Sequence, residues 1–276
     1  MIERKWGWRN STPDHRDTLY KFVPTFVPEQ LPPSYDTSSI IDWMYDQGSE
    51  GSCTAQSSIS CTRYERKLGK LPEIIGSRNF QYWNTRKMEG DTSQDNGAQI
   101  RDAMKVLNQT GICHESLWDY MPSTLFATPP KAAYIDAAKN VVSVYQSVDQ
   151  NNVAMRSCLA SGHPFVFGFA VYESFMSEGV AHTGVASMPD TNEKQLGGHA
   201  VMAVGYDDAT RRYKIMNSWG AGWGDKGYFY LPYAYVEDPN LADDFWTVRG
   251  FKEIVPAVPP KPQPKPVPRR PWWWIW

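Results

Sequence analysis

Three stretches of this chain carry residue types that together can do nucleophilic acyl-transfer chemistry. The first is Asp46-Gln47-Gly48-Ser49-Glu50-Gly51-Ser52-Cys53, a Gly/Ser turn that runs into a helix-compatible segment. A cysteine at the first turn of a helix sits where backbone N–H groups lack internal partners and the peptide dipoles place partial positive charge. Both favour the thiolate, which is the attacking species. Gln47, six residues upstream, carries an amide able to donate to a developing oxyanion. The second stretch, Gly197-Gly198-His199-Ala200-Val201, opens an apolar, strand-like run with a candidate general base, 146 residues after Cys53. The third, Asn217-Ser218-Trp219-Gly220-Ala221-Gly222-Trp223-Gly224, places an amide 164 residues after Cys53 that can orient an imidazole. Alone, a cysteine after a Gly-Ser turn reads just as well as a small buried residue. The three stretches in this order point to nucleophile, base and orienting group.

With these motifs the chain resembles the papain-like cysteine peptidases, in particular a branch with a short leader found in bacteria and viruses. The resemblance runs from about Leu31 to about Phe251, and the spacing is near the roughly 130–150 residues by which that family's His and Asn follow its Cys. It implies an α+β fold of two lobes, a helical left lobe over about 35–140 and a β-barrel-like right lobe over about 141–254, with the cleft between them. Cys53 would come from the first lobe, His199 and Asn217 from the second. It also implies the mechanism. His199 takes the Cys53 proton and the thiolate attacks a peptide carbonyl. The Cys53 N–H and the Gln47 side chain hold the oxyanion, and water hydrolyses the thioester. Asn96-Gly97-Ala98 corresponds to a family Asn-Gly-Gly whose backbone pairs antiparallel with substrate, with Ala98 a departure. Gly198 would leave one wall of the pocket for the second residue before the cut bare. Trp219 and Trp223 would shield the Asn–His contact, and Trp219 would also contribute to substrate binding. Thr54 replaces a residue that is commonly Trp. A silent binding or structural protein on this scaffold, and an acyltransferase or isopeptidase using the same dyad, are the alternatives.

The family's usual disulfide partner, three residues before the nucleophile, is here Glu50. With Cys61, Cys113 and Cys158 left as an odd number, free thiols in a reducing, cytoplasmic-type compartment are expected. No Cys/His spacing suggests zinc, and no metal or cofactor is expected. The 276 residues are 41% hydrophobic, a globular composition, and the net charge of −2 gives no electrostatic case for nucleic acid. No apolar run reaches the roughly 20 residues of a membrane span. The N-terminus lacks the apolar core of a signal peptide. Protein or peptide substrates are the expected partners.

Elements must then deliver these residues. A central helix is predicted over 53–69, ended by Gly69, and an amphipathic helix through Ile100, Ala103, Met104 and Leu107. A short Ala-rich helix follows Pro129-Pro130, and Asn151 or Asn152 caps another that stops before Gly162. Strands are read at 164–171, 199–206, 211–216 and 227–231. His15 and His182 are expected to be exposed, His114 and His163 to sit in turns. Residues 1–34, with Gly7-Trp8-Arg9-Asn10 and a Pro-rich passage, read as an N-terminal arm or short propeptide. Its residues 1–30 either gate the cleft or form a packing belt. Residues 255–276, Pro-rich and ending Trp272-Trp273-Trp274-Ile275-Trp276, read as an extended tail. That tail is either an anchor for a docking partner or membrane interface, or an end without a role.

Overall fold

Helix α1 spans Cys53–Leu68, with Ser52 at its N-cap and Gly69 at its C-cap, as the turn and breaker residues predict. It is buried on nearly every face: Ala55, Ile59, Cys61 and Tyr64 are all at most 3% exposed. Arg66 and Lys67 in its last turn complement the negative end of the dipole. The computed structural model describes residues 4–12, 14, 23, 24 and 28–252. The Trp-ended tail and the remainder of the N-terminal segment lie outside these residues. Helices α2 (Arg78–Met88) and α3 (Ile100–Gln109) pack beside α1. In α3 the four predicted core positions are fully buried. Helix α2 was not read from sequence, because its buried face includes Asn79, Gln81, Asn84, Thr85 and Arg86, which mask the apolar period. The Arg86 guanidinium finds backbone carbonyls of Gln94 and Leu125 and lies over the Tyr82 ring.

Helices α4 (Lys131–Ala137) and α5 (Asn152–Ala160) follow, the second capped by the Asn151 side chain on the Ala154 N–H. The rest is one antiparallel sheet: β1 (Ser34–Asp36), β2 (Val142–Ser147), β3 (Phe165–Tyr172), β4 (Gln195–Asp207), β5 (Arg212–Met216), β6 (Tyr228–Pro232) and β7 (Ala242–Phe251). Its order is β2-β7-β3-β4-β5-β6, with β1 also on β4. Short helices α6 (Glu178–Thr183) and α7 (Tyr233–Glu237) join strands. The predicted helical first half and strand-rich second half are observed, with β1, β2 and β7 as strands the sequence did not reveal.

Central strands here are buried on both faces, which explains continuous apolar runs in place of alternation. Along β3, Phe165, Phe167 and Phe169 enter one core with Phe229 and Phe245, while Val166 enters the other with α1, α3, Ala200 and Met202. On β4 the same two-residue period puts Val201 and Ala203 on the Phe face. His199 shares that face, its ring 5.8 Å from Phe169.

Two histidines expected in turns have structural partners. His114 Nδ1 meets Asp136 Oδ2 at 2.7 Å. His163, after α5, meets Glu65 Oε1 of α1 at 2.6 Å, with the Glu65 side chain 4% exposed. His163→Ala leaves that buried carboxyl without its partner. Urea unfolding should show a loss of about 1–3 kcal/mol, the cost of an unsatisfied buried polar group. His182 is exposed as expected, and His15 lies outside the described residues. The other cysteines, Cys61, Cys113 and Cys158, are free and buried. Among the described residues no helix is long and apolar enough to cross a membrane.

Candidate active site

The start of α1 packs against β4, the strand that carries His199. The Ala200 backbone N–H, next to His199, donates to Cys53 Sγ at 3.4 Å. His199 Nε2 and Asn217 Oδ1 are 2.8 Å apart, and Asn217 Oδ1 also accepts the Ser218 N–H at 2.9 Å. This contact sets Nε2 as the protonated nitrogen and leaves Nδ1 as the free base. Nδ1 is buried and has no hydrogen-bond partner. The Trp219 ring lies over the imidazole, centroids 5.0 Å apart and planes 26° apart, and Trp223 meets Trp219 edge-on at 4.8 Å. Asn217→Ala removes a hydrogen bond that orients, and on protonation stabilises, the ring. Such a bond is worth about 1.5–3 kcal/mol to a charged group, so kcat should fall roughly 10- to 100-fold.

Gln47 is 1% exposed and held at both ends of its amide. Its Oε1 accepts from Ser218 Oγ at 2.7 Å, and its Nε2 donates to the Glu50 carbonyl at 2.8 Å. One of the two amide hydrogens is thus already used, and the other is the one available to an oxyanion. Glu50, at the family's disulfide position, is buried, and desolvation pushes its carboxyl pKa up. Gly51 N–H donates to Asp95, whose carboxylate also accepts from Tyr82 Oη at 2.7 Å. The turn before the nucleophile is thereby tied to the loop carrying Gly97 and Ala98.

The thiolate–imidazolium pair is not the state this structure favours. Burial pushes the Cys53 thiol up to about 11, against the lowering effect of the Ala200, Gly7, Thr54 and Cys53 backbone N–H groups. Burial likewise pushes His199 down to about 4, with Asn217 opposing. The N-terminal arm passes over the thiol. A Cβ on Gly7 would lie 1.9 Å from the Gly51 carbonyl oxygen and 3.0 Å from Cys53 Sγ. Ala98 N–H donates to the Gly7 carbonyl at 2.8 Å, and Arg9 N–H donates to the Ala98 carbonyl at 3.1 Å. Trp8 N–H donates to the Gly198 carbonyl at 3.1 Å. Three ion pairs clamp the segment: Arg4–Asp46, Lys5–Asp95 and Arg9–Glu89. Glu89 is raised by burial to about 7, with the Gln99 N–H and Arg9 acting the other way.

Of the weaker substrate-binding assignments, Gly97, Ala98 and Gly198 do line the channel around the arm. Asn96 is exposed, and its amide donates to Gln94 Oε1 at 2.9 Å. Ser218 lies within the Asn217 motif, but its bond to Gln47 was not expected, and neither were the contacts of Asp95 and Glu89. The sequence reading singled out Gly7-Trp8-Arg9-Asn10 without its place over the thiol. Among the described residues no group of His, Cys, Asp and Glu is arranged to hold a metal.

Comparison with known proteins agrees with this geometry. The model of the papain family of cysteine proteases matches residues 31–244. An uncharacterized peptidase C1-like protein of Acanthamoeba polyphaga mimivirus is 37% identical over 92% of this chain and 89% of its own length. A cathepsin B-like protein of Giardia intestinalis is 31% identical over 72% of this chain and 69% of its own. Among solved structures, xylellain, a cysteine protease from Xylella fastidiosa, superposes with a TM-score of 0.83 at 37% identity, covering 91% of this chain and 99% of that one. Bromelain from Ananas comosus, at 19% identity and a TM-score of 0.63, shares the fold. This chain belongs to the papain family of cysteine proteases.

Proposed function

We propose that the protein is a cysteine endopeptidase whose own residues 4–12 hold it in a covered, neutral state. The observation that carries the reading is the meeting of Cys53 Sγ with the Ala200 N–H beside a His199 whose Nδ1 is free and whose Nε2 is fixed on Asn217. Once the arm leaves, solvent reaches the pair and the desolvation that keeps both groups neutral is relieved. Nδ1 accepts the thiol proton, and the thiolate attacks the carbonyl carbon of a peptide. The Cys53 N–H and the second Gln47 amide hydrogen would then receive the oxyanion. The protonated His199 gives its proton to the leaving amine, and water then cleaves the thioester.

The direction of the arm supports a blocking role. Substrate is expected to pair antiparallel with the Gly97-Ala98 wall, whereas Trp8 pairs with Ala98 in parallel. A peptide lying backwards presents its carbonyls wrongly to the nucleophile and occupies the cleft without being cut. Mass spectrometry after treatment with an epoxide-type thiol-protease inhibitor tests the reading. One adduct on Cys53, lost in Cys53→Ala, together with internal cuts in a peptide library, is the expected result. Absence of any adduct would support the silent-scaffold alternative, and acyl transfer to added amines without hydrolysis the acyltransferase.

A further inference from the structure

We infer that Tyr120 is a positioning residue for the oxyanion donor Gln47. Its hydroxyl ends a one-way chain of hydrogen bonds that starts at the Arg78 guanidinium and holds the Gln47 carbonyl, in the turn where Glu50 stands at the family's disulfide position. This goes beyond the peptidase reading above and rests on it.

Atom types set the direction of every bond in the chain. Arg78 has donors only. Its Nη1 donates to Gln56 Oε1 at 3.3 Å, which turns the Gln56 amide so that Nε2 donates to Ser52 Oγ at 3.1 Å. Tyr120 Oη donates to the Gln47 carbonyl at 2.9 Å. In its 2.8 Å contact with Ser52 Oγ it is therefore the acceptor, and Ser52 gives the proton. Each hydroxyl accepts on one side and donates on the other, and the members of such a chain polarise and strengthen one another. The phenol keeps its proton for this, because burial pushes its pKa up. The Glu50 carboxyl bears on the same hydroxyl from within the turn.

Both ends of the chain are anchored. The Arg78 guanidinium lies 4.1 Å from the Tyr120 ring centroid and 4.4 Å from that of Tyr45. Its Nε and Nη2 fork onto Glu115 at 2.9 and 2.6 Å. Gln47 puts its N–H on the Ser218 carbonyl at 2.8 Å, and its own carbonyl also accepts the Glu50 N–H at 3.2 Å. Tyr120 adds a tie from this residue to the loop between α3 and α4. Ser52 shows the same commitment. It is the N-cap of α1, yet its side chain makes no cap bond. A serine there ordinarily accepts from an N–H two or three residues on. Its oxygen is engaged by Gln56 and Tyr120 instead, which leaves the Thr54 N–H to act on the Cys53 thiol.

An oxyanion exists only along the reaction path. A donor that drifts from its place therefore lowers kcat and leaves KM as it was. The Tyr120 bond is a neutral one, and its loss expressed as a rate is about two- to tenfold.

The test uses the full-length protein, a fluorogenic peptide and iodoacetamide. Tyr120→Phe keeps the ring under Arg78 and loses only the hydroxyl, and Gln56 still engages Ser52. Its kcat should fall by the factor above with KM unchanged. Alkylation of Cys53 by iodoacetamide needs no oxyanion donor and should be unchanged. Alkylation also reads the opening of the arm, so the ratio of hydrolysis to alkylation isolates the donor. A double-mutant cycle then asks how the hydroxyl acts. A residue that works through Gln47 should cost nothing further once Gln47→Ala is present. An unmoved kcat, a parallel fall in alkylation and hydrolysis, or the same loss with and without Gln47 overturns the proposal. Should Tyr120→Phe not fold, Ser52→Ala cuts the chain one bond earlier without touching the ring and runs the same cycle with the same outcomes. A peptidyl aldehyde separates the two readings. Cys53 adds to its carbonyl: the sulfur–carbon bond forms, the C=O π pair moves to oxygen, and that oxygen meets the Gln47 amide. Aldehyde binding weakened by Tyr120→Phe in a protein that cuts no peptide would uphold Tyr120 and remove the peptidase reading.

Discussion

Gly7→Val should switch the full-length chain on: peptide hydrolysis at pH 7 is expected to rise about a hundredfold. No side chain fits at this position, because a Cβ would lie 1.9 Å from the Gly51 carbonyl oxygen, and backbone cannot swing aside as a side-chain tip can. Overpacking against fixed structure costs about 1–3 kcal/mol and sometimes more, and each 1.36 kcal/mol is about tenfold in the open population. The diagnostic is the pH profile of Cys53 alkylation. With the arm in place, thiolate appears only as pH climbs toward about 11, and imidazolium only below about 4. The wild-type rate should therefore climb with pH across the neutral range. In Gly7→Val, relieved desolvation lowers the thiol and raises the imidazole. The ionised pair then exists at neutral pH, and the profile should flatten there. A low-pKa thiolate is intrinsically less nucleophilic, which makes the flattening a firmer signature than the absolute rate. A variant whose alkylation still climbs through pH 7 to 9 would remove the arm as the cause of the neutral state.

His199→Ala in the Gly7→Val background should lower peptide hydrolysis by up to about 10⁶-fold, the scale on which losing the general base alone disables another hydrolase. Without the imidazole, no group accepts the thiol proton and none returns it to the leaving amine. Trp219, Phe169 and Asn217 surround the ring, so the fold should survive a small cavity among them. Alkylation separates chemistry from folding: Cys53 should still react, but with the steep pH dependence of an unassisted thiol. Hydrolysis retained within tenfold of the parent would mean that another base serves Cys53, and the dyad mechanism would fall.

Much of this site was legible because its residues are local signals. Cys53 follows a Gly-Ser turn and opens a helix, His199 opens an apolar run, and Asn217 sits among glycines and tryptophans. Helix α3 showed its period because five of its six buried residues, all but Arg101, are apolar. Helix α2 hid its own, since a buried Arg86 and four other polar groups sit inside it, paired with carbonyls and rings that no window of sequence displays. Strand β7 was missed for a related reason: Asp243, Asp244 and Arg249 interrupt its apolar pattern.

The order and types of Cys53, His199, Asn217 and Gln47, the family, and the division into helices before strands followed from the sequence alone. The ionisation state of the dyad, the seat of Trp8 over Gly168 and Gly198, and the hold of Tyr120 on Gln47 did not. Reactivity at Cys53 depends on what solvent can reach, and solvent access is a property of the assembled surface. A segment more than forty residues upstream lies over the thiol, and burial of this kind, which pushes Cys53 up and His199 down, is not written in any local stretch of sequence.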